Sequence, residues 1–432
     1  MILAVFLGVL VLGILLGIPV AFSLLLSSLA MMFALNLFDL GFIFICNQLA
    51  QPLVNGVNSF PLLAIPFFMV AGEVMSVGGL SRRIVRLAMA FVGHKKGGLG
   101  YVAIVTSIIL AGLSGSAVAD AAALVSILFP MMREAKYPES YSAGLLGAGG
   151  IIAPVIPPSL PLILVGVAGN ISIAKLFIGG IAPGLMMGGS LMAMWWFIMR
   201  KESLPISDKA SSEERKKVLV EGIWALILPF IIIIGIRFGF FTPTEAAVVA
   251  AVYALFVSTV IYRELTWKKL YGVLVSSGRS TGMVMFLVGC AMVASQLITL
   301  AQLPQQVAGL LGPLIEHPRL LMLAIMGLVF LIGMVMDLSP TVLILVPLLM
   351  PVIKQAGIDP VYFGLMFTIN CCIGLLTPPV GNVLNVVCGV GRVRIDVAVK
   401  GLAPFIAVYI VLIALFILFP QLITGPLYFL YG

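Results

Sequence analysis

Long apolar runs separated by short polar loops recur from one end of the chain to the other, and they predict helices that cross or enter a membrane. The runs lie at roughly 2–17, 20–37, 60–77, 99–113, 117–132, 140–168, 174–199, 221–237, 243–262, 281–301, 320–336, 340–353, 361–388 and 402–420. A spanning helix needs about 20 apolar residues, and shorter runs are more often re-entrant or interfacial. The stretches 39–57 and 263–279 are short and mixed, and read as interfacial arms. The one long polar stretch is 200–217, inside a linker taken as 200–220. It divides the chain almost in half.

The two halves resemble each other at a fixed spacing. Gly112 pairs with Gly333, Pro130 with Pro351, Pro157-Pro158 with Pro378-Pro379, and Pro183 with Pro404, each 221 residues apart. Internal repeats are the common plan of secondary transporters. The expected class is an all-α integral membrane protein of two inverted repeats. Each repeat would hold a re-entrant helical hairpin and a Pro-broken helix. Residues 1–80 would be scaffold helices and arm of repeat 1, and 81–199 its transport region, with hairpin 99–132 and broken helix 138–168. After the cytoplasmic linker 200–220, residues 221–301 would be scaffold and arm of repeat 2. Residues 302–432 would be its transport region, with hairpin 320–353 and broken helix 359–388.

Composition supports a membrane solvent. Hydrophobic residues make up 62% of the chain and charged residues 9%, against about 45–50% and about 25% in soluble domains. The balance of 24 Lys+Arg against 16 Asp+Glu, a net +8, would suggest nucleic acid in a soluble protein. Here the basic residues sit in loops, so orientation in the membrane explains them. With both hairpins re-entrant, all of them fall on one face except Lys175, Arg237, Arg319 and Lys354. That face is then cytoplasmic and both termini lie outside. Reading the arms as four full spans preserves the parity, so charge does not choose. Met1 opens an apolar run without a charged leader, which reads as a first span rather than a signal peptide. Cys46, Cys290, Cys371, Cys372 and Cys388 lack metal-ligand spacing and read as buried small apolar residues.

The candidate chemistry lies at four places. One hairpin tip is Gly112-Leu113-Ser114-Gly115-Ser116, and the other runs from Gly333 through Asp337, Ser339 and Thr341. Each is followed by a break, Pro154 to Ser159 with Pro157-Pro158, and Thr377 to Asn382 with Pro378-Pro379. Paired prolines remove donors and clash with preceding carbonyls, so the helix cannot run through them. Non-helical backbone at membrane depth survives only in buried protein or against a wet cavity. The freed carbonyls and neighbouring hydroxyls offer the hard oxygens that small cations take, and the new helix N-termini favour anions. Glu73, Asp120, Glu245 and Asp337 fall within apolar segments, where acidic groups are functional candidates by default. Asp120 and Asp337, beside the tips, read as coupling carboxylates. For Glu73 and Glu245, near segment ends, structural pairing is an equal reading. An enzyme is not expected: the Gly-Leu-Ser-Gly string at 112–115 lacks a base within reach in sequence, and His94 and His317 lie in loops on opposite faces.

The tips, the Ile-Pro-Pro-Ser and Thr-Pro-Pro-Val-Gly breaks and the repeated hairpins resemble the large membrane subunit of TRAP transporters, the DctM-like family. The most specific stretch runs from Gly333 to Asn382, with Asp337, Pro347, Pro351, Gly357-Ile358-Asp359-Pro360, Gly364 and Gly374 to Gly381. The resemblance implies a bacterial inner-membrane, multi-pass subunit of a tripartite importer. Its partners would be a small four-helix membrane subunit on a separate chain and a soluble periplasmic substrate-binding protein. It would carry an organic acid anion, of the C4-dicarboxylate or sialic acid class with a lean to sialic acid, by sodium symport and an elevator motion. No organic cofactor is expected, but at least two sodium ions are. One would lie at Ser114, Gly115, Ser116, Pro154, Ile156 and Ser159. The other would lie at Gly333, Asp337, Ser339, Thr341, Thr377, Gly381 and Asn382. A stand-alone sodium/carboxylate symporter and a channel are the alternatives. If 99–132 is re-entrant, cysteines placed at positions 97 and 134 label from the same side of the membrane; labelling from opposite sides sinks the hairpin reading.

Overall fold

The structure, a computed structural model, describes residues 2–37, 41–202 and 209–431. Parts of two expected segments, 39–40 of the first arm and 203–208 of the linker, lie outside the described residues. Every regular element described is a helix. The first half runs α1 Ile2–Leu15, α2 Val20–Ala34, α3 Phe42–Val57, a 3₁₀ turn at Phe60–Leu63, α4 Ala64–Val77 and α5 Leu80–Val92. It continues with α6 Gly98–Ser114, α7 Ala117–Glu134, α8 Glu139–Gly150, α9 Leu160–Gly169 and α10 Ile173–Met199. The second half runs α11 Ser212–Arg237, α12 Pro243–Phe256 with a π turn at Val257–Ile261, α13 Trp267–Leu300, α14 Leu303–Ile315 and α15 Pro318–Gly333. Then come α16 Leu338–Gln355, α17 Pro360–Gly374, α18 Asn382–Gly391, α19 Ile395–Leu418 and α20 Gln421–Tyr431.

Seven stretches among the described residues are long and apolar enough to cross a bilayer: Phe60–Val77, α10, α11, Pro243–Ile261, α13, α16 and α19. The outer surface carries many large apolar side chains, among them Leu15, Phe230, Phe240, Leu331 and Phe429. In water such a surface would aggregate; lipid tails are its natural solvent. The protein is a polytopic, all-helical membrane protein.

Local chemistry sets the helix starts. Thr242 and Glu245 form a reciprocal capping box at α12, with Pro243 in the first turn, where its missing N–H costs nothing. Asp359 opens α17 by accepting from the amides of Val361 at 2.7 Å and Tyr362 at 3.3 Å. The halves follow the same order of elements. The starts of α6 to α10 and of α15 to α19 fall 220 to 222 residues apart, pair by pair.

One pair departs from this pattern. The stretch 263–279 reads from sequence as an arm separate from the next span, but Trp267–Leu300 is one helix of 34 residues. In the first half Pro61 and the turn at Asn58 separate α3 from α4. No proline lies between Trp267 and Leu300, so nothing removes a backbone donor there. The polar cluster Ser276 to Thr281 sits inside the helix.

The helices pack in two groups. Helices α1 to α4 gather with α12 and α13, with α13 touching α2, α3 and α4. Helices α6, α7, α9, α10, α15, α16, α18 and α19 pack on α8 or α17, while α5 and α11 lie on each other and touch both groups, at α6 and at α4 and α12. The closing arms are exchanged between halves: α7 lies on α18, and α16 lies on α9. Helices α8 and α19 cross at bare backbone. A Cβ on Gly144 would stand 2.5 Å from the Gly401 carbonyl oxygen, and the Tyr409 hydroxyl donates to the Ala148 carbonyl at 2.8 Å nearby. Close approach of this kind replaces the hydrophobic drive that lipid cannot supply. Gly401→Ala should therefore cost about 1–3 kcal/mol in thermal unfolding of the purified protein. Gly327→Ala, with no atom within 4 Å of the added methyl, should be neutral; equal effects would contradict the crossing.

Candidate functional site

Helix α6 ends at Ser114 because Gly115 turns left-handed, at φ +62°, a conformation that costs other residues about 1–2 kcal/mol. Ser116 then opens α7, its hydroxyl accepting from the Ala119 amide at 3.4 Å. The Ser114 hydroxyl donates to one carboxylate oxygen of Asp120 and accepts from the Ser116 amide at 3.2 Å. The other Asp120 oxygen is buried without a hydrogen-bond partner. The outer ends of the two arms meet, since the Leu99 amide donates to the Tyr137 hydroxyl at 3.4 Å. Trp195 stacks on Tyr137 and donates to the Gly97 carbonyl at 2.8 Å. Residues 98–134 therefore form a hairpin with both ends together and the tip at the far end.

The tip rests on the first break. A Cβ on Gly115 would lie 2.6 Å from the Pro158 carbonyl oxygen and 3.0 Å from Ser159 Cα. Residues 151–159 are all buried, and the Pro157-Pro158 bond is cis. Ser159 opens α9, accepting from the Leu162 amide at 3.3 Å while donating to the Pro154 carbonyl at 2.5 Å. Ser114, Gly115, Ser116, Pro158, Ser159 and Asp120 thus come together, and Pro154 joins them through Ser159. The Ile156 side chain turns the other way, onto Gly184 of α10.

The second tip meets its break through backbone. A Cβ on Gly374 would lie 2.6 Å from the Gly333 carbonyl carbon. The Met334 carbonyl accepts from the amides of Val380 and Gly381, both at 3.3 Å. Pro378-Pro379 is cis, and Gly381 at φ +51° leads into α18 at Asn382. Thr341 donates its hydroxyl to the Asp337 carbonyl at 2.7 Å. Thr377 turns back into its own helix, donating to the Ile373 carbonyl at 3.0 Å. The break carbonyl of Val380 is taken by Asn385, at 2.8 Å, rather than by Asn382. Ser339 is half-buried beside them. The two carboxylates that look alike in sequence stand in different places: Asp120 is 4% exposed, whereas Asp337 is exposed at the cap position of α16 and makes no capping bond.

Beside the first tip lies a cavity of about 270 Å³, walled by Ser114, Ser116 and Asp120 of the hairpin, Glu73 and Ser76 of α4, Ser81 of α5, and Ser277 and Ser280 of α13. Glu73 accepts from the Ser276 hydroxyl at 3.0 Å, tying α4 to α13. Ser277 escaped sequence reading because it lies in 263–279, which reads as an interfacial arm, and Ser280 because it falls between that arm and the next apolar run. The signal that could have found them is a hydroxyl cluster inside an unbroken helix. Glu245 is held in its capping box, away from this cavity.

Two opposed kinds of feature, an apolar exterior and broken helices meeting hairpin tips inside, define a membrane transport protein. The fold is similar to that in a structure described as the Alcanivorax borkumensis YdaH transporter with an unusual topology. The TM-score is 0.62 at 16% identity, over 86% of this chain and 88% of that one. The chain is 56% identical over 423 residues, 98% of each protein, to the 2,3-diketo-L-gulonate TRAP transporter large permease protein YiaN of Escherichia coli. It is 39% identical to the sialic acid TRAP transporter large permease protein SiaM of Vibrio cholerae, over 96% of each. It is 36% identical to the C4-dicarboxylate TRAP transporter large permease protein DctM of Pseudomonas aeruginosa, over 84% of this chain and 85% of that one. The family model described as "Tripartite ATP-independent periplasmic transporter, DctM component" matches residues 7–422. The chain belongs to this family and is a multi-pass large permease of the bacterial inner membrane.

Gly115→Ala should add left-handed strain of about 1–2 kcal/mol and push the tip from Pro158. Uptake by proteoliposomes of the assembled transporter should fall about tenfold or more, while the protein still elutes as a folded species; undiminished uptake would show that the tip need not touch the break.

Proposed function

We propose that this chain imports an organic acid anion by sodium symport, as the large subunit of a tripartite transporter. The observation that carries the reading is the same meeting in both halves, a hairpin tip seated on a proline-broken helix: Gly115 on Pro158 and Ser159, and Met334 on Val380 and Gly381. Hydroxyls and carbonyls at the first meeting, half-buried at Ser114 and Ser116 and buried at Pro154 and Ser159, suit one sodium ion. The second tip, from Gly333 to Thr341 against Thr377 to Asn382, suits another, with Asp337 close enough to balance charge. Ile156 would contribute through its backbone only, since its side chain faces α10. Substrate would sit between the tips, where helix N-termini and the ions offset its carboxylate. Relatives named for diketogulonate, sialic acid and C4-dicarboxylate share that carboxylate. The similarity now leans to a sugar-acid substrate of the first kind, rather than to sialic acid.

The grouping of α1 to α4 with α12 and α13 supports a static frame, against which the hairpins and broken helices move as an elevator. The exchange of arms between halves is what an inverted repeat related by a two-fold axis produces. A small membrane subunit would bind the frame and a soluble binding protein would deliver the substrate. The sialic acid TRAP transporter permease protein SiaT of Haemophilus influenzae, of whose length this chain covers only 65%, has room for such a subunit beyond the matched part.

Uptake into proteoliposomes should require sodium, the small subunit and the binding protein together, and should show counterflow exchange. Asp120→Ala and Asp337→Ala should each lower uptake about a hundredfold without loss of small-subunit binding. Wild-type sodium dependence in both variants would refute the ion placement. Uptake without a soluble partner would favour a stand-alone symporter, and absence of counterflow a channel.

A further inference from the structure

The cavity beside the first tip has hydroxyl and carboxylate groups on the hairpin, α4, α5 and α13, apolar side chains such as Phe68, Leu110 and Leu113 between them, and nothing basic among its described walls. Two of the side chains facing it are almost wholly buried and unmet. Asp120 is 4% exposed with one carboxylate oxygen lacking any hydrogen bond, and Ser277 is 1% exposed with its hydroxyl lacking one. They come from different bodies, Asp120 from the hairpin and Ser277 from α13. Glu73 of α4 completes the set, held in place by Ser276. Buried polar atoms are normally satisfied, and an unmet carboxylate oxygen is the costliest exception.

Neighbouring basic groups do not relieve this. Arg82 and Arg83, which follow Ser81, are both engaged by Glu264 at 3.4 and 2.6 Å. Arg279 of α13 is exposed and lies outside the cavity walls. No basic side chain among the described cavity walls is left to meet Asp120.

We propose that this cavity is a cation site shared by the hairpin and the frame, in which Asp120, Glu73 and the Ser277 hydroxyl hold one monovalent cation. Carboxylate and hydroxyl oxygens are hard ligands and suit a hard ion, and the volume leaves space for water beside it. The site borrows Asp120 from the transport reading above, but Glu73 and Ser277 belong to neither tip nor break. Because its ligands come from two separately packed bodies, an occupied site clasps the hairpin to the frame. Displacement of the hairpin would pull the ligands apart and release the ion. The ion is sodium or a proton, and the two are separable by experiment.

The test is thermal unfolding of the purified full chain in lipid nanodiscs, with sodium chloride replaced by choline chloride at constant ionic strength, over a pH series. Ser277→Ala and Glu73→Gln are compared with Ser159→Ala, which touches only the tip and break. For sodium, the wild-type midpoint rises with the salt, and Ser277→Ala and Glu73→Gln each need about tenfold more sodium for the same rise. For a proton, the midpoint rises on acidification without sodium, and Glu73→Gln removes that rise. Ser277→Ala in choline should melt no lower than wild type, since it deletes an unmet hydroxyl; this separates lost binding from lost folding. The proposal is overturned if Ser277→Ala and Glu73→Gln keep the wild-type sodium and pH responses. Loss of the sodium response in Ser159→Ala alone would overturn it as well, while leaving the tip sites standing.

Discussion

A helix that stops inside a membrane must put its freed backbone groups somewhere, because lipid accepts no hydrogen bonds. That demand organises this protein. The breaks at Pro157-Pro158 and Pro378-Pro379 release carbonyls and amides at the heart of the molecule. The chain meets the demand partly from within. Ser159 reaches back to Pro154, Asn385 reaches back to Val380, and the Met334 carbonyl takes two amides of the second break. What remains unmet is the capacity to bind something else.

The same constraint explains the small residues around the breaks. A tip can cover freed backbone only if it approaches within contact of it. Gly115 on Pro158 and Gly333 on Gly374 leave no room for a side chain. Away from the breaks, the crossing of α8 and α19 uses the same device, since in lipid packing has to come from close fit rather than from exclusion of water. Large apolar side chains such as Phe177, Phe363 and Trp195 fill the interior, and others such as Phe230 and Leu331 cover the outer surface, against lipid.

The halves are alike in order but unequal in chemistry. The first tip buries a carboxylate beside a cavity that reaches the frame; the second leaves its carboxylate exposed. The frame differs too, with two helices and a turn in the first half against the single α13 in the second. A repeated plan does not impose equal work on its copies. On α13, Ser277 and Ser280 line the cavity beside the first hairpin tip.

The sequence alone determined the class of solvent, the helical content, the places where helices stop and the family, because these follow from local quantities. They are apolar run length, the missing N–H of proline, and short motifs at a constant spacing. Glu73 and Glu245 were ambiguous in sequence, since an acidic residue near a segment end reads the same whether it caps a helix or faces a cavity. The structure separated them, with Glu245 in a capping box with Thr242 and Glu73 of α4 bonded to Ser276 of α13. Tertiary structure likewise decided that Asp120 is buried and Asp337 is not, that α13 runs unbroken, and that Ser277 meets Asp120 across a cavity. The meetings of Glu73 with Ser276 and of Asp120 with Ser277 join residues more than a hundred positions apart, and no local propensity encodes which of two similar carboxylates a distant helix will face.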